Sequence, residues 1–219
     1  MINKQSEQSY NDEAPEVTAL WDLFNEGMFE ETIINAEQYL TTSDNPDAYS
    51  AKKLIGLSLF RKGDYAKSQS VFELLADTYN NFEDWFNLLT SSALNDSIVV
   101  SEKALEKVIQ FFKQGSDGGG ISLPYVYFYY INALSDVGQY DLAFKKFKLL
   151  AEYYVLVKIT DTHFLHMRGI PFFQNTLSLG KKIFEHVNRS ESEALLDKLM
   201  DNVDTDGQEA VTELRSGLS

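Results

Sequence analysis

The sequence predicts an all-α protein made of consecutive helix–turn–helix units, and three observations carry that prediction. Apolar residues recur three and four apart over most of the chain, the spacing of one helical face. Glycine interrupts the pattern at Gly27, Gly63 and Gly138, and each time a new apolar stripe starts two residues later. The first interval, 36 residues, is about one helical hairpin and the second, 75, is about two with an insertion, and hairpins of that size bury their apolar faces only by stacking on one another.

Composition agrees with a packed, soluble protein. At 219 residues the chain suits one domain, or one with a small appendage, and 44% hydrophobic residues with 13% aromatics can fill a core. There is no cysteine, which excludes disulfides and thiolate metal sites and fits a reducing compartment. The first sixteen residues are polar throughout, unlike a signal peptide, and no run approaches the roughly 18 apolar residues of a membrane helix. A cytoplasmic location follows as the expectation. The net charge of −14 is concentrated at the ends: net −10 over residues 1–50, net −6 over 190–219, and close to neutral between. Nucleic-acid binding needs a basic footprint, so this distribution argues against it.

Each element has its own local signal. Residues 1–14 read as a disordered acidic N-terminus. Pro15, with acids around it, opens the first helix, which carries Val17, Leu20, Leu23 and Phe24; after Gly27 come Phe29, Ile33, Ala36 and Leu40 (hairpin one, 15–44). Asn45 and Pro46 read as the cap and opening of the next helix, with Leu54, Ile55, Leu59 and Phe60 before Gly63 and Val71, Phe72 and Leu75 after it (hairpin two, 45–80). A third hairpin, 81–113, has Asn95-Asp96 at its corner in place of glycine. The glycine-rich stretch 114–122 reads as a flexible insertion before a fourth hairpin, 123–156. Residues 157–219 read as helices that cap the stack, with an acidic tail, and Ser190 and Glu193 have the spacing of a capping box.

The recurring corners resemble the tetratricopeptide repeat over about two-thirds of the chain. In "KKLIGLSLFRKGDYAKSQSVFELL", Gly56 stands where the two helices cross, Gly63-Asp64-Tyr65 forms the turn, Ser68 replaces the usual small alanine, and Phe72 is the second-helix aromatic. "YVYFYYINALSDVGQYDLAFKKFKLL" matches at Leu134, Gly138, Tyr140, Ala143 and Phe147. The third repeat matches at Trp85, Leu88, Ser101 and Leu105, and the first is degenerate, with Thr32 in the alanine slot. The resemblance implies a right-handed superhelical solenoid whose first helices line a concave groove. The groove slots that it implies are Lys53, Leu57, Phe60 and Arg61 from the second repeat, and Phe86, Asn87 and Thr90 from the third. The fourth supplies Tyr125, Phe128, Tyr129 and Asn132, while Val126, Tyr127, Tyr130 and Ile131 can face the core on the other side of the same helix.

Those slots imply a non-enzymatic adaptor, scaffold or dedicated chaperone that holds a partner protein's helix or extended hydrophobic segment. The family's dicarboxylate clamp is incomplete, since Lys53 fits but Leu57 stands where asparagine is needed, so chaperone tails are not the expected ligand. Two alternatives remain open in the sequence. One is a regulatory or inhibitory protein, of immunity or antitoxin type, acting through an acidic surface that includes Glu26, Glu30 and Glu31. The other is a metal or calcium protein. His163 and His166 are three apart, with Asp161 nearby, and Asn202, Asp204, Asp206 and Glu213 fall at calcium-loop spacing around Gly207. The plainer reading of that loop is that Asp206 caps a last short helix and Glu209 completes its capping box. No catalytic motif is present, "GSDGGG" lacks the lysine of a phosphate loop, and no cofactor is expected. An uncapped end of the stack would also allow pairing with a second copy.

Overall fold

A computed structural model describes residues 14–41, 47–116 and 118–218. The reading of residues 1–13 and of the Asn45–Pro46 helix start lies outside them. Twelve α-helices and no strand occur among the described residues: α1 (Pro15–Asn25), α2 (Phe29–Leu40), α3 (Ala48–Arg61), α4 (Tyr65–Tyr79), α5 (Phe82–Leu94), α6 (Ile98–Lys113), α7 (Leu123–Asp136), α8 (Tyr140–Val157), α9 (Thr162–Met167), α10 (Phe173–Phe184), α11 (Arg189–Met200) and α12 (Thr205–Ser216). No described helix is long and apolar enough to cross a membrane.

The four corners between paired helices share one hydrogen-bond pattern. The Gly27 and Met28 N–H groups donate to the carbonyls of Phe24 and Leu23, and Gly63 and Asp64 donate to Phe60 and Leu59. Asp96 and Ser97 donate to Ala93 and Ser92, and Gly138 and Gln139 to Ser135 and Leu134. This crossed pair satisfies the last carbonyls of the helix and needs a left-handed residue to do it. Gly27, Gly63 and Gly138 supply it at φ 81°, 78° and 77°, and Asp96 supplies it at φ 55°. Asp96 bears that conformation because a short polar side chain tolerates it better than most.

The corners set the register of the second helix in each hairpin. Five residues after each left-handed residue stand Thr32, Ser68, Ser101 and Ala143, all fully enclosed. Nine residues after stand Ala36, Phe72, Leu105 and Phe147, again buried. In hairpin two the helix facing the second-helix slot is itself confined, for a Cβ added at Gly56 would lie 2.8 Å from the Phe72 ring.

Helices pack mainly on their neighbours in sequence: α1 on α2, α2 on α3, α3 on α4, α4 on α5, α5 on α6, and α7 on α8. First helices also meet, α1 with α3 and α5 with α7. At the insertion the pattern shifts, for the α7 backbone lies on α5 rather than on α6. One large core runs from Phe72 to Leu214, and a smaller one joins hairpin one to α3 through Leu20, Ile33, Leu54 and Leu59. Val71 borders both. At the far end α10 lies on α7 and α8, α11 on α8, and α12 on α10 and α11.

Three local expectations are corrected. The described part of the insertion is packed rather than free: Gly118–Gly120 form a tight turn, and Gly118 is buried against the rings of Phe112 and Phe82. The Ser190–Glu193 capping box does not form. Asn188 caps α11 instead, accepting from both the N–H and the hydroxyl of Ser190 at 2.9 and 2.8 Å, while Glu193 pairs with Arg215 at 3.0 Å. The calcium-loop spacing does not produce a loop, because residues 205–216 are helical.

Candidate functional site

α5 and α7 carry the most continuous candidate surface. Asn81 caps α5, its side-chain oxygen accepting the Asp84 N–H at 2.9 Å, and Ser122 caps α7 ahead of Pro124 in the first turn. Both helices therefore start where the chain dictates, and this fixes which side chains share a face. On α7, Val126, Tyr127, Tyr130 and Ile131 are buried, as the 3.6-residue period requires, while Tyr125, Phe128 and Asn132 are half-buried and Tyr129 is 45% exposed.

The rings of these helices form an unbroken row. Phe86 on α5 and Tyr129 on α7 meet edge to face at 6.0 Å, and Tyr129 also meets Tyr125 at 6.2 Å and Phe128 at 6.1 Å. On the other side Phe86 stacks on Phe82 at 6.1 Å, and Phe82 meets Phe111 and Phe112 of α6 at 6.3 and 5.4 Å. Burial raises the Tyr125 hydroxyl above its ordinary pKa, with Tyr129 beside it contributing, so it acts as a neutral hydrogen-bonding group. The side-chain nitrogen of Asn87, the residue after Phe86, is buried and has no hydrogen-bond partner. Thr90 is tied to its own helix, its hydroxyl donating to the Asn87 carbonyl at 3.1 Å.

The slots from hairpin two do not join this row. Lys53 is tied to Glu83 at 2.6 Å and lies over the Tyr49 ring. Phe60 packs on Tyr65 across its own corner at 5.4 Å, Leu57 packs partly buried against the core, and Arg61 is exposed at the helix end. Sequence reasoning missed Phe82, Phe111, Phe112 and Gly118 at the other end of the row. A consecutive pair of phenylalanines closing an amphipathic helix was the available signal.

It also missed a buried carboxylate. Asp84 is fully enclosed, and its oxygens accept from Tyr49 Oη at 3.2 Å and Asn81 Nδ2 at 2.7 Å. Burial pushes Asp84 above the ordinary carboxylate value despite these hydrogen bonds and the nearby Lys53. Being enclosed, Asp84 serves as an internal clip between α3 and α5.

The calcium-loop side chains are engaged elsewhere in the fold. Asp204 caps α12, accepting from the Gly207 N–H at 3.1 Å, and it also takes the Thr160 N–H and hydroxyl at 2.9 and 2.5 Å. Burial pushes its carboxyl up, but these hydrogen bonds outweigh that and hold it below its ordinary value. Asp206 and Glu213 lie along the helix and Asn202 in the turn before it, where its side chain donates to the Lys198 carbonyl, so the four do not converge. The helix cap is thus Asp204, two residues before the expected Asp206. His163 and His166 are exposed on the six-residue α9. Among the described residues no three His, Cys, Asp or Glu side chains are grouped to hold an ion. On the acidic surface Glu26 and Glu31 are exposed, and Glu30 is ion-paired with Lys62.

The chain matches no family model, no curated protein and no solved structure.

Proposed function

We propose that the protein is a non-enzymatic binding module, a tetratricopeptide-like solenoid of four hairpins closed by α9–α12. Its aromatic row holds an apolar segment of a partner protein. One observation carries this reading: the rings of Phe82, Phe86, Tyr125, Phe128 and Tyr129 are continuous across α5 and α7, with Tyr129 45% exposed. Aromatic side chains supply large apolar area at low entropy cost and dominate binding energies at protein interfaces. Covering such a surface gains about 25 cal/mol for each Å² removed from water.

The repeated corners and the enclosed slot five residues beyond each of them support the solenoid part of the reading. The test compares wild type with Phe86→Glu/Phe128→Glu, and with the milder Tyr129→Asp, in affinity capture, alongside circular dichroism of each. A partner lost with both variants at unchanged helicity supports the reading. A partner retained by the folded double variant overturns it.

A further inference from the structure

The clip between α3 and α5 is a cluster of three side chains around one enclosed carboxyl group. Asp84 of α5 is fully buried, and Tyr49 Oη of α3 lies 3.2 Å from both of its carboxyl oxygens. Asn81 completes the cluster, its Nδ2 donating to Asp84 Oδ2 at 2.7 Å and to Tyr49 Oη at 3.1 Å. The nearby cation, Lys53 of α3, pairs with Glu83 at 2.6 Å instead. Burial pushes the Tyr49 hydroxyl up, so it enters the cluster as a neutral group. An enclosed carboxylate met by neutral donors keeps much of the cost of leaving water.

The hydrogens of the cluster suit a neutral acid. With Asp84 ionised, one phenol hydrogen faces two carboxyl oxygens at equal distance. With Asp84 protonated, the carboxyl O–H donates to Tyr49 Oη while the phenol O–H donates to the other oxygen, so the added proton finds an acceptor in place. Opening the joint returns Asp84 to water, which solvates the ion. The closed joint therefore binds a proton more tightly than the open one. We propose that the joint between hairpin two and α5 is proton-linked, closing on a neutral Asp84 and loosening when Asp84 ionises. Lys53 and the hydrogen bonds from Asn81 and Tyr49 favour the ion, while burial, the largest effect, and Glu83 oppose it. From the neighbouring helices, Tyr79 of α4 packs on the Tyr49 ring at 4.6 Å. Lys103 and Lys107 of α6 lie over the ring of Trp85, the next residue, at 5.6 and 5.8 Å. Because α5 also carries Phe82 and Phe86, a joint that loosens as pH rises loosens one side of the aromatic row.

Asp84→Asn tests this directly, because asparagine keeps the shape of the carboxyl group and is neutral at every pH. Amide hydrogen exchange at residues 49–53 and 84–86, corrected for its intrinsic pH dependence, reads how often the joint opens. In wild type, opening is expected to grow with pH, by up to about tenfold per pH unit between the enclosed and exposed carboxyl values. In Asp84→Asn it is expected to stay rare and nearly flat from about pH 4 to pH 8. Wild-type opening that ignores pH, or an equal pH dependence in the folded variant, overturns the proposal. A second measurement needs no variant: carbon-13 signals of the aspartate carboxyls, each tied to its own backbone, follow Asp84 in wild type. A midpoint above the ordinary 3.8 supports the proton-linked joint, and a midpoint at or below it overturns it even where the variant does not fold.

Discussion

The Ser68 hydroxyl on α4 donates to the Gly56 carbonyl on α3 at 2.9 Å, joining the two helices of hairpin two. Both residues are buried, and Phe72 sits against Gly56 on the same face. Gly56→Ala puts a methyl into the Phe72 ring, a cost of about 1–3 kcal/mol for overpacking. The gain in helix propensity offsets about 1 kcal/mol of it. The expected net is a loss of stability, read as a lower urea midpoint at unchanged slope. Ser68→Ala, which creates the residue found at position 143, is expected to cost only about 1 kcal/mol.

Lys158 ends α8 in the left-handed region at φ 62°, where glycine stands at three of the four hairpin corners. An L-residue there costs about 1–2 kcal/mol. Lys158→Gly keeps the Lys158 N–H bond to Tyr154 and the carbonyl that accepts Asp204. After the entropy that glycine adds to the unfolded chain, the expected gain is about 1 kcal/mol, seen as a raised melting temperature.

Tyr130 joins hairpin four to α6. Its hydroxyl donates to Glu102 at 2.7 Å and lies 2.9 Å from Ser101 Oγ, while Lys146 of α8 reaches the same Glu102 at 2.7 Å. Tyr130→Phe removes the hydroxyl that links Ser101 to Glu102 without changing the packed ring. A loss of about 1–2 kcal/mol in denaturant unfolding is expected, and a double-mutant cycle with Lys146→Met should show coupling between the two sites.

Asp204 links pH to stability with a definite sign. Its folded pKa lies below the ordinary 3.8, so its ionised form stabilises the fold above that value and the benefit fades as pH falls through the folded value. Asp204→Ala is expected to cost about 1–2 kcal/mol at neutral pH, through the lost cap and the unpaired Thr160. The gap from wild type should close as acid is added below pH about 4, in matched urea titrations. Asp84 has the opposite sign: burial raises it, so its charged form is the costly one and its contribution improves as pH falls through the folded value.

Much of the fold was legible because its determinants are local. Each corner needs one left-handed residue, which Gly27, Gly63, Gly138 and the Asn95-Asp96 pair announce, and the 3.6-residue period then decides which side of α7 is core. The same logic set Tyr125, Phe128 and Tyr129 apart from Tyr127 and Tyr130. Where competing local signals were close in strength, the local rule chose wrongly. Asn188 rather than Ser190 caps α11, and Asp204 rather than Asp206 caps α12, because Thr160, forty-four residues away, holds the Asp204 carboxylate in place.

The sequence by itself determined that this chain is helical, where most helices turn, and which residues of each helix are apolar, since these depend on backbone sterics and periodicity within a few residues. Only the tertiary structure decided which of those apolar residues meet. It set Phe86 against Tyr129, drew Phe82 and Phe112 over Gly118, removed Lys53 and Phe60 from the shared surface, and enclosed Asp84. The reason is physical: a side chain's face follows from its own helix, but its neighbours follow from how separate helices share one volume.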